Sequence, residues 1–201
     1  IFDGATGTNL QLRDLTADDF GGPKLEGCNE ILVETRPDVV AELHASFLEI
    51  GVDAIETNTF GAFSVVLDEY GIGNKAYQLN LTAAQIAVDT ANEYSTAQHP
   101  RFVAGSVGPG TKAPSLGQIS FDDLRDSYFE QMRGLLDGGV DLLVIETCYD
   151  LLQTKAAIHA ARQAMSSCGR QVPLQTQVTI ETTGRMLLGT EMGAALVALE
   201  A

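Results

Sequence analysis

Four short stretches of the chain place polar or charged residues directly behind apolar runs. They are Asp3-Gly4-Ala5-Thr6-Gly7-Thr8, Glu56-Thr57-Asn58-Thr59, Gly105-Ser106-Val107-Gly108-Pro109-Gly110 and Glu146-Thr147. A carboxylate that ends an apolar strand carries a desolvation cost, so Glu146 needs a partner: a cation or a backbone group. Gly7 lets a backbone come close to a ligand, with a plain turn as the competing reading. Other chemistry has weaker support. Cys28, Cys148 and Cys168 are widely spaced, and a lone Cys148 without a nearby Cys or His pattern reads as a small buried hydrophobe. His44, His99 and His159 show no metal-ligand spacing. Gly105, Gly108 and Gly110 lack both the P-loop ending and the Rossmann spacing, and Lys112 alone does not supply a phosphate site.

The elements that must position these residues alternate. Pro37 opens a helix that places Val39, Val40, Leu43, Phe47 and Ile50 on one face and stops at Gly51. A strand over 53–57 follows, then a short helical stretch at 64–70 and a longer one at 75–94. A strand over 102–107 comes next. Ser120 with Asp123 opens a helix carrying Leu124, Tyr128, Leu135 and Leu136, closed by Gly138 and Gly139. A strand over 142–146, a helix opened by Asp150 with Gln153 and running to about Met165, and a strand over 174–180 complete the pattern. Thr190 is predicted to cap a last helix that still runs at Ala201. Two runs are near copies, VDAIETNTF at 52–60 and VDLLVIETC at 140–148, each behind a glycine that ends a helix. Apolar strands separated by helices predict a parallel sheet with right-handed crossovers, either doubly wound or barrel-like. Polar groups at the carboxyl ends of several strands favour a (β/α)8 barrel, of which about five βα units are present.

Composition narrows the partners. With 12 Lys and Arg against 27 Asp and Glu, the net charge of −15 argues against nucleic acid and membrane surfaces. No apolar stretch is long enough to span a bilayer, and 45% apolar residues suffice for a sizeable core. The odd cysteine count predicts a reducing, cytoplasmic setting. The first residue is Ile1, which predicts a trimmed amino end.

Five stretches in register carry a resemblance to a known family. Asp3-Gly4-Ala5-Thr6-Gly7-Thr8, Gly27-Cys28-Asn29-Glu30 followed by Arg36-Pro37-Asp38-Val39-Val40, Glu56-Thr57-Asn58-Thr59-Phe60, Gly108-Pro109-Gly110-Thr111-Lys112 and Ile145-Glu146-Thr147 resemble the homocysteine-binding domain of the cobalamin-dependent methionine synthase family. The related betaine-dependent homocysteine methyltransferases share the Asp-Gly, Asn-Thr-Phe and Glu-Thr landmarks. The resemblance spans the whole chain as one barrel domain, 1–201, and implies homocysteine as ligand and partner domains that bind cobalamin and folate.

Its implied chemistry is thiol methylation from methylcobalamin to give methionine, with zinc holding the homocysteine thiolate. The family's zinc ligands are cysteines in a Gly-x-Asn-Cys stretch and a Cys-Cys pair, neither of which occurs here, so the resemblance puts the metal ligands beyond residue 201. Residue by residue, Glu146 resembles the carboxylate that holds the homocysteine ammonium. Asp3 with the Gly4 and Ala5 amides resembles the cradle of the amino acid. Asn58, Thr59 and Phe60 would line the same mouth, Phe60 chiefly through its main chain, and Glu56 would orient the loops. Two other readings stay open: a noncatalytic half-barrel that works when complemented, and, more weakly, a phosphate-handling barrel with its phosphate site elsewhere.

Overall fold

A glycine past the end of helix α3 (Pro37–Glu49) turns the chain into the first strand, and the same device recurs later. In the computed structural model, which describes residues 1–200, Gly51 and Gly139 adopt φ 99° and 103°, a region that favours glycine. The other elements are α1 (Thr6–Gln11), α2 (Leu32–Thr35), β1 (Ala54–Glu56), α4 (Ser64–Leu67), α5 (Ala76–Tyr94), β2 (Phe102–Val107), α6 (Phe121–Gly138), β3 (Leu142–Cys148), α7 (Leu151–Cys168), β4 (Leu174–Val178) and α8 (Met192–Glu200). The predicted caps are in place. Ser120 Oγ accepts the Asp123 amide at 3.1 Å, and Asp150 Oδ1 accepts the Leu152 amide at 2.8 Å.

All strands run parallel in the order β1-β2-β3-β4, the order of the chain. Helices α3, α5, α6 and α7 pack against one another in the same order along one side of this sheet. A doubly wound sheet would carry helices on both faces, so the arrangement is a length of (β/α)8 barrel wall. Strand alternation then sorts the side chains. Ile55, Val103, Val107, Leu143 and Ile145 face the helices and join Tyr128, Met132 and Leu135 in the main core. Their neighbours Glu56, Ser106, Val144 and Glu146 face the barrel interior. A second cluster, built on Leu10, Ile31, Leu32, Val40, Leu43 and Leu79, closes the amino-terminal end.

The repeated Val-Asp pair acquires a structural meaning at the opposite end of the strands. Asp141 Oδ2 accepts the Val103 amide at 2.8 Å, and Asp53 Oδ1 meets His99 Nε2 at 2.9 Å. Helices α5 and α6 approach closely because α6 carries Gly134. A Cβ there would lie 2.4 Å from the Tyr77 carbonyl oxygen.

Four expectations are corrected. The first strand contracts to Phe2, which forms a single parallel bridge to Ala54. Ile50 is 79% exposed, because α3 ends at Glu49 and the helical stripe stops one residue short of it. Strand β4 ends at Val178. Glu191, and not Thr190, immediately precedes α8, while the Thr190 carbonyl accepts the Met186 amide at 2.8 Å. The expected run of that helix into Ala201 lies outside the described residues.

Candidate functional site

The loops that follow Phe2, β1, β2 and β3 meet at the carboxyl ends of the strands and enclose a cavity of about 430 Å³. Asp3, Gly4, Ala5, Asn58, Thr59, Phe60 and Glu146 all line it, together with Asn29, Glu30, Glu56, Thr57 and Ser106. Its charge is one-sided. Four carboxyl groups face the space, and among the described residues no Lys, Arg or His lines it.

The carboxyls are held differently. Asp3 Oδ2 accepts the Glu56 amide at 3.0 Å, which ties the first loop to β1, while its buried Oδ1 has no partner among the described residues. Burial pushes the Asp3 carboxyl up to about 6, opposed by that amide bond. Burial also pushes Glu56 up to about 7, with the charges of Glu146 and Asp3 adding to the effect. Glu146 Oε1 accepts the Ser106 hydroxyl at 2.6 Å, so its neighbour on β2 fixes its rotamer. Glu30 is half-buried, its pKa raised by desolvation, and its Oε1 accepts the Gly61 amide at 2.8 Å. Asn58 Nδ2 donates to the Asn29 carbonyl at 2.7 Å, so two bonds clamp the Asn29–Glu30 segment to the loop after β1.

The bulge at the end of β3 decides which way Cys148 points. Its pairing with β4 shifts between Ile145 and Cys148, and Thr147 sits at φ 57°. A β-branched residue avoids that region, so the surrounding structure must hold it there. Regular alternation would turn Cys148 inward behind Glu146. The extra residue instead sends Cys148 into the helix-side core and leaves Glu146 on the cavity.

Not every predicted residue offers its side chain. Thr59 is fully buried, and its hydroxyl donates to the Ser106 carbonyl at 2.7 Å. Phe60 is 43% exposed, and its carbonyl is taken by the Gly108 amide at 2.9 Å. The Gly4 and Ala5 amides donate to no group among the described residues. Sequence reasoning missed the place of Glu30 in the cavity and a set of buried polar side chains beneath the loops. Asn80 Nδ2 reaches the Ala62 carbonyl at 2.6 Å, Gln131 Nε2 the Thr59 carbonyl at 2.7 Å, and Tyr128 Oη the Gly108 carbonyl at 3.0 Å. Gln153 Nε2 donates to the carbonyls of Pro109 and Lys112. Their signal was present as amides within apolar helical stripes, where a polar side chain needs a partner.

Glu56 yields a stability test. Its carboxyl has a folded value of about 7, above the ordinary 4.5, so the folded state binds more protons across that interval. Stability therefore falls as pH rises from 4.5 to about 7, and the penalty is complete above that window. In thermal or urea melts, Glu56→Gln should match the parent below the window and exceed it at higher pH by about 1 kcal/mol, allowing for partial exposure. A parent protein that gains stability relative to the variant on raising pH would contradict this.

A parallel barrel wall with an acidic cavity at its carboxyl rim places the chain among the (β/α)8 barrels, whose sites lie at that rim. A family model described as homocysteine S-methyltransferase matches residues 1–201, and the chain belongs to that family. It is 52% identical over 200 residues to the methionine synthases of Mycobacterium leprae and Mycobacterium tuberculosis, matching 100% of this chain but only 16% and 17% of theirs. The chain thus spans about a sixth of the length of these curated relatives. The metallated form of the homocysteine methyltransferase MmuM from Escherichia coli superposes with a TM-score of 0.77 at 20% identity, covering 99% of this chain and 69% of that one. The apo form gives 0.71 over 99% and 66%. At such identity these structures show the fold, a barrel of which this chain supplies part.

Among the described residues no group of three or more His, Cys, Asp or Glu is placed to hold a metal ion. Burial, reinforced by Glu30, pushes the Cys28 thiol up to about 12, and burial pushes Cys148 up to about 11. Neither thiol belongs to a group of side chains that could share a metal ion, so the described residues do not fit a zinc site. No helix among them is long and apolar enough to cross a membrane.

Proposed function

We propose that this chain is the homocysteine-binding, methyl-acceptor module of a cytoplasmic methionine synthase. The observation that carries this reading is the cavity itself. Asp3, Glu56 and Glu146 line one space without a basic side chain, beside the uncommitted Gly4 and Ala5 amides. An α-amino acid brings one ammonium and one carboxylate, and these groups complement both sets.

In this reading Glu146, pre-set by Ser106, holds the ammonium, and Asp3 orients the first loop so that its amides meet the carboxylate. Asn58, Thr59 and Phe60 form the wall along which the side chain lies, with the thiol pointing out of the rim. Fixing the amino acid at one end confines the sulfur to a small arc, and that positioning lowers the barrier to methyl transfer. The zinc and methylcobalamin implied by the resemblance have no ligand set among the described residues. Thiol activation, the methyl donor, and the cobalamin- and folate-binding partner domains are therefore assigned to groups outside residues 1–201, and residues 1–201 to a barrel domain lacking the zinc-ligand strands.

The identity to methionine synthases favours the cobalamin-type donor over betaine. The protein at its natural length, given homocysteine and methylcobalamin, should form methionine detectable by mass spectrometry. Methylation from betaine alone would move the assignment to the betaine-type enzymes, and failure to bind homocysteine would overturn it.

A further inference from the structure

Glu56 is the one cavity carboxylate without a visible task. Asp3 ties a loop to β1, Glu146 is braced by Ser106 and Glu30 clamps two loops, whereas the Glu56 side chain makes no hydrogen bond or ion pair among the described residues. It nonetheless faces the interior beside Asp3 and Glu146. The groups around it are all acidic or neutral. Strand β2 contributes Ser106, and Glu30 lies across the cavity with Cys28 behind it. Helices α3 and α5 cover the other face of β1, and His44 of α3, buried and lowered to about 4, is uncharged near neutrality. One ligand ammonium cannot balance three ionised carboxylates, and like charges packed together retain a proton.

We propose that Glu56 determines ligand specificity by proton exchange: its carboxyl keeps a proton when no ligand is bound and releases it to solvent when an α-ammonium group enters beside Asp3 and Glu146. The inference rests on the amino-acid reading of the cavity and adds a residue and a proton to it. A ligand with an ammonium lowers the potential that holds the proton. A ligand that brings only a carboxylate raises it. The cavity therefore discriminates between the two by opposite proton movements. The elevated Glu56 value fits this, since at pH 7 a carboxyl with a pKa of about 7 is about half protonated.

Methionine is the suitable probe because it has the ammonium and no thiol proton. The protein at its natural length is titrated calorimetrically with methionine and with 4-(methylthio)butanoate, its deaminated counterpart, in buffers of different ionisation enthalpy between pH 5.5 and 7.5. Methionine should release about half a proton at pH 7, and its affinity should rise with pH, by up to about tenfold per unit at the acid end. The deaminated ligand should release none and bind more weakly as pH rises. In Glu56→Gln the methionine-linked release at pH 7 should fall to the small remainder that Asp3 supplies, and the pH slope between pH 6.5 and 7.5 should flatten while binding persists. Methionine binding without proton release, or release undiminished in Glu56→Gln, would overturn the proposal and leave the amino-acid reading standing. If neither methionine nor homocysteine binds, by calorimetry and by equilibrium dialysis, the amino-acid reading falls and this proposal with it.

Discussion

Glu146→Gln should weaken homocysteine binding by roughly 10- to 150-fold, about 1.5–3 kcal/mol, and leave 2-mercaptoethanol unaffected. The charged contact to the ammonium is the interaction lost. Glutamine keeps the shape of the side chain and can still accept the Ser106 hydroxyl through its amide oxygen. That leaves the amide nitrogen, a donor, turned toward another donor, so a favourable charge-assisted bond becomes a mismatch. Glu146 lies on the interior face and outside the hydrophobic clusters, so the melting midpoint should hardly move. 2-Mercaptoethanol carries the thiol without the ammonium and separates recognition from chemistry. Equal losses for both thiols would mean that Glu146 serves the reaction or the barrel's stability, and its assignment to ammonium binding would be wrong.

The largest loss of stability is expected at Tyr128. Its ring is fully buried on α6 against Phe63, with centroids 4.6 Å apart, and its hydroxyl donates to the carbonyls of Gly108 and Pro109. Tyr128→Ala removes the ring from the main core and leaves the Gly108 carbonyl without its donor, while the Pro109 carbonyl keeps Gln153 Nε2. Truncations of this size destabilise by about 3–5 kcal/mol. Tyr128→Phe keeps the ring and isolates the hydroxyl, at about 1–2 kcal/mol for the one buried acceptor, the Gly108 carbonyl, that loses its donor. Urea denaturation of the two variants separates packing from loop support. A Tyr128→Ala loss below about 1.5 kcal/mol would show that the core collapses around the gap, contrary to this account.

Much of the fold was legible because its signals are local. Apolar period, Ser120 and Asp150 as caps, and the glycines after α3 and α6 each act within a few residues. The misses share a different origin. The strand expected at the first stretch depends on how far Phe2 can pair with Ala54 before the chain turns into α1, a tertiary matter that no local pattern encodes. Ile50 continued a helical stripe in sequence but fell beyond the last turn in space. The seven candidate residues do converge on one cavity, since strand ends in a parallel barrel share a rim. What each side chain does there was not legible. Thr59 spends its hydroxyl on Ser106, and the hydrogen bonds of Asn80, Gln131 and Gln153 reach loops 18 to 72 residues away. Glu30 was noted as part of the Gly27-Cys28-Asn29-Glu30 stretch, but its place in the cavity was not legible because its partner, the Gly61 amide, belongs to another loop.

The strand order of the sheet has a consequence for how the protein comes into being. Each strand pairs with the one that precedes it in the chain, and the long helices α3, α5, α6 and α7 dock on one another in chain order. From β2 onward, a ribosome therefore releases each strand next to a partner that has already emerged. On the growing side the exposed edge is the newest strand, covered as soon as the next unit is translated. An architecture whose neighbours in space are neighbours in synthesis time keeps its growing, aggregation-prone edge short-lived.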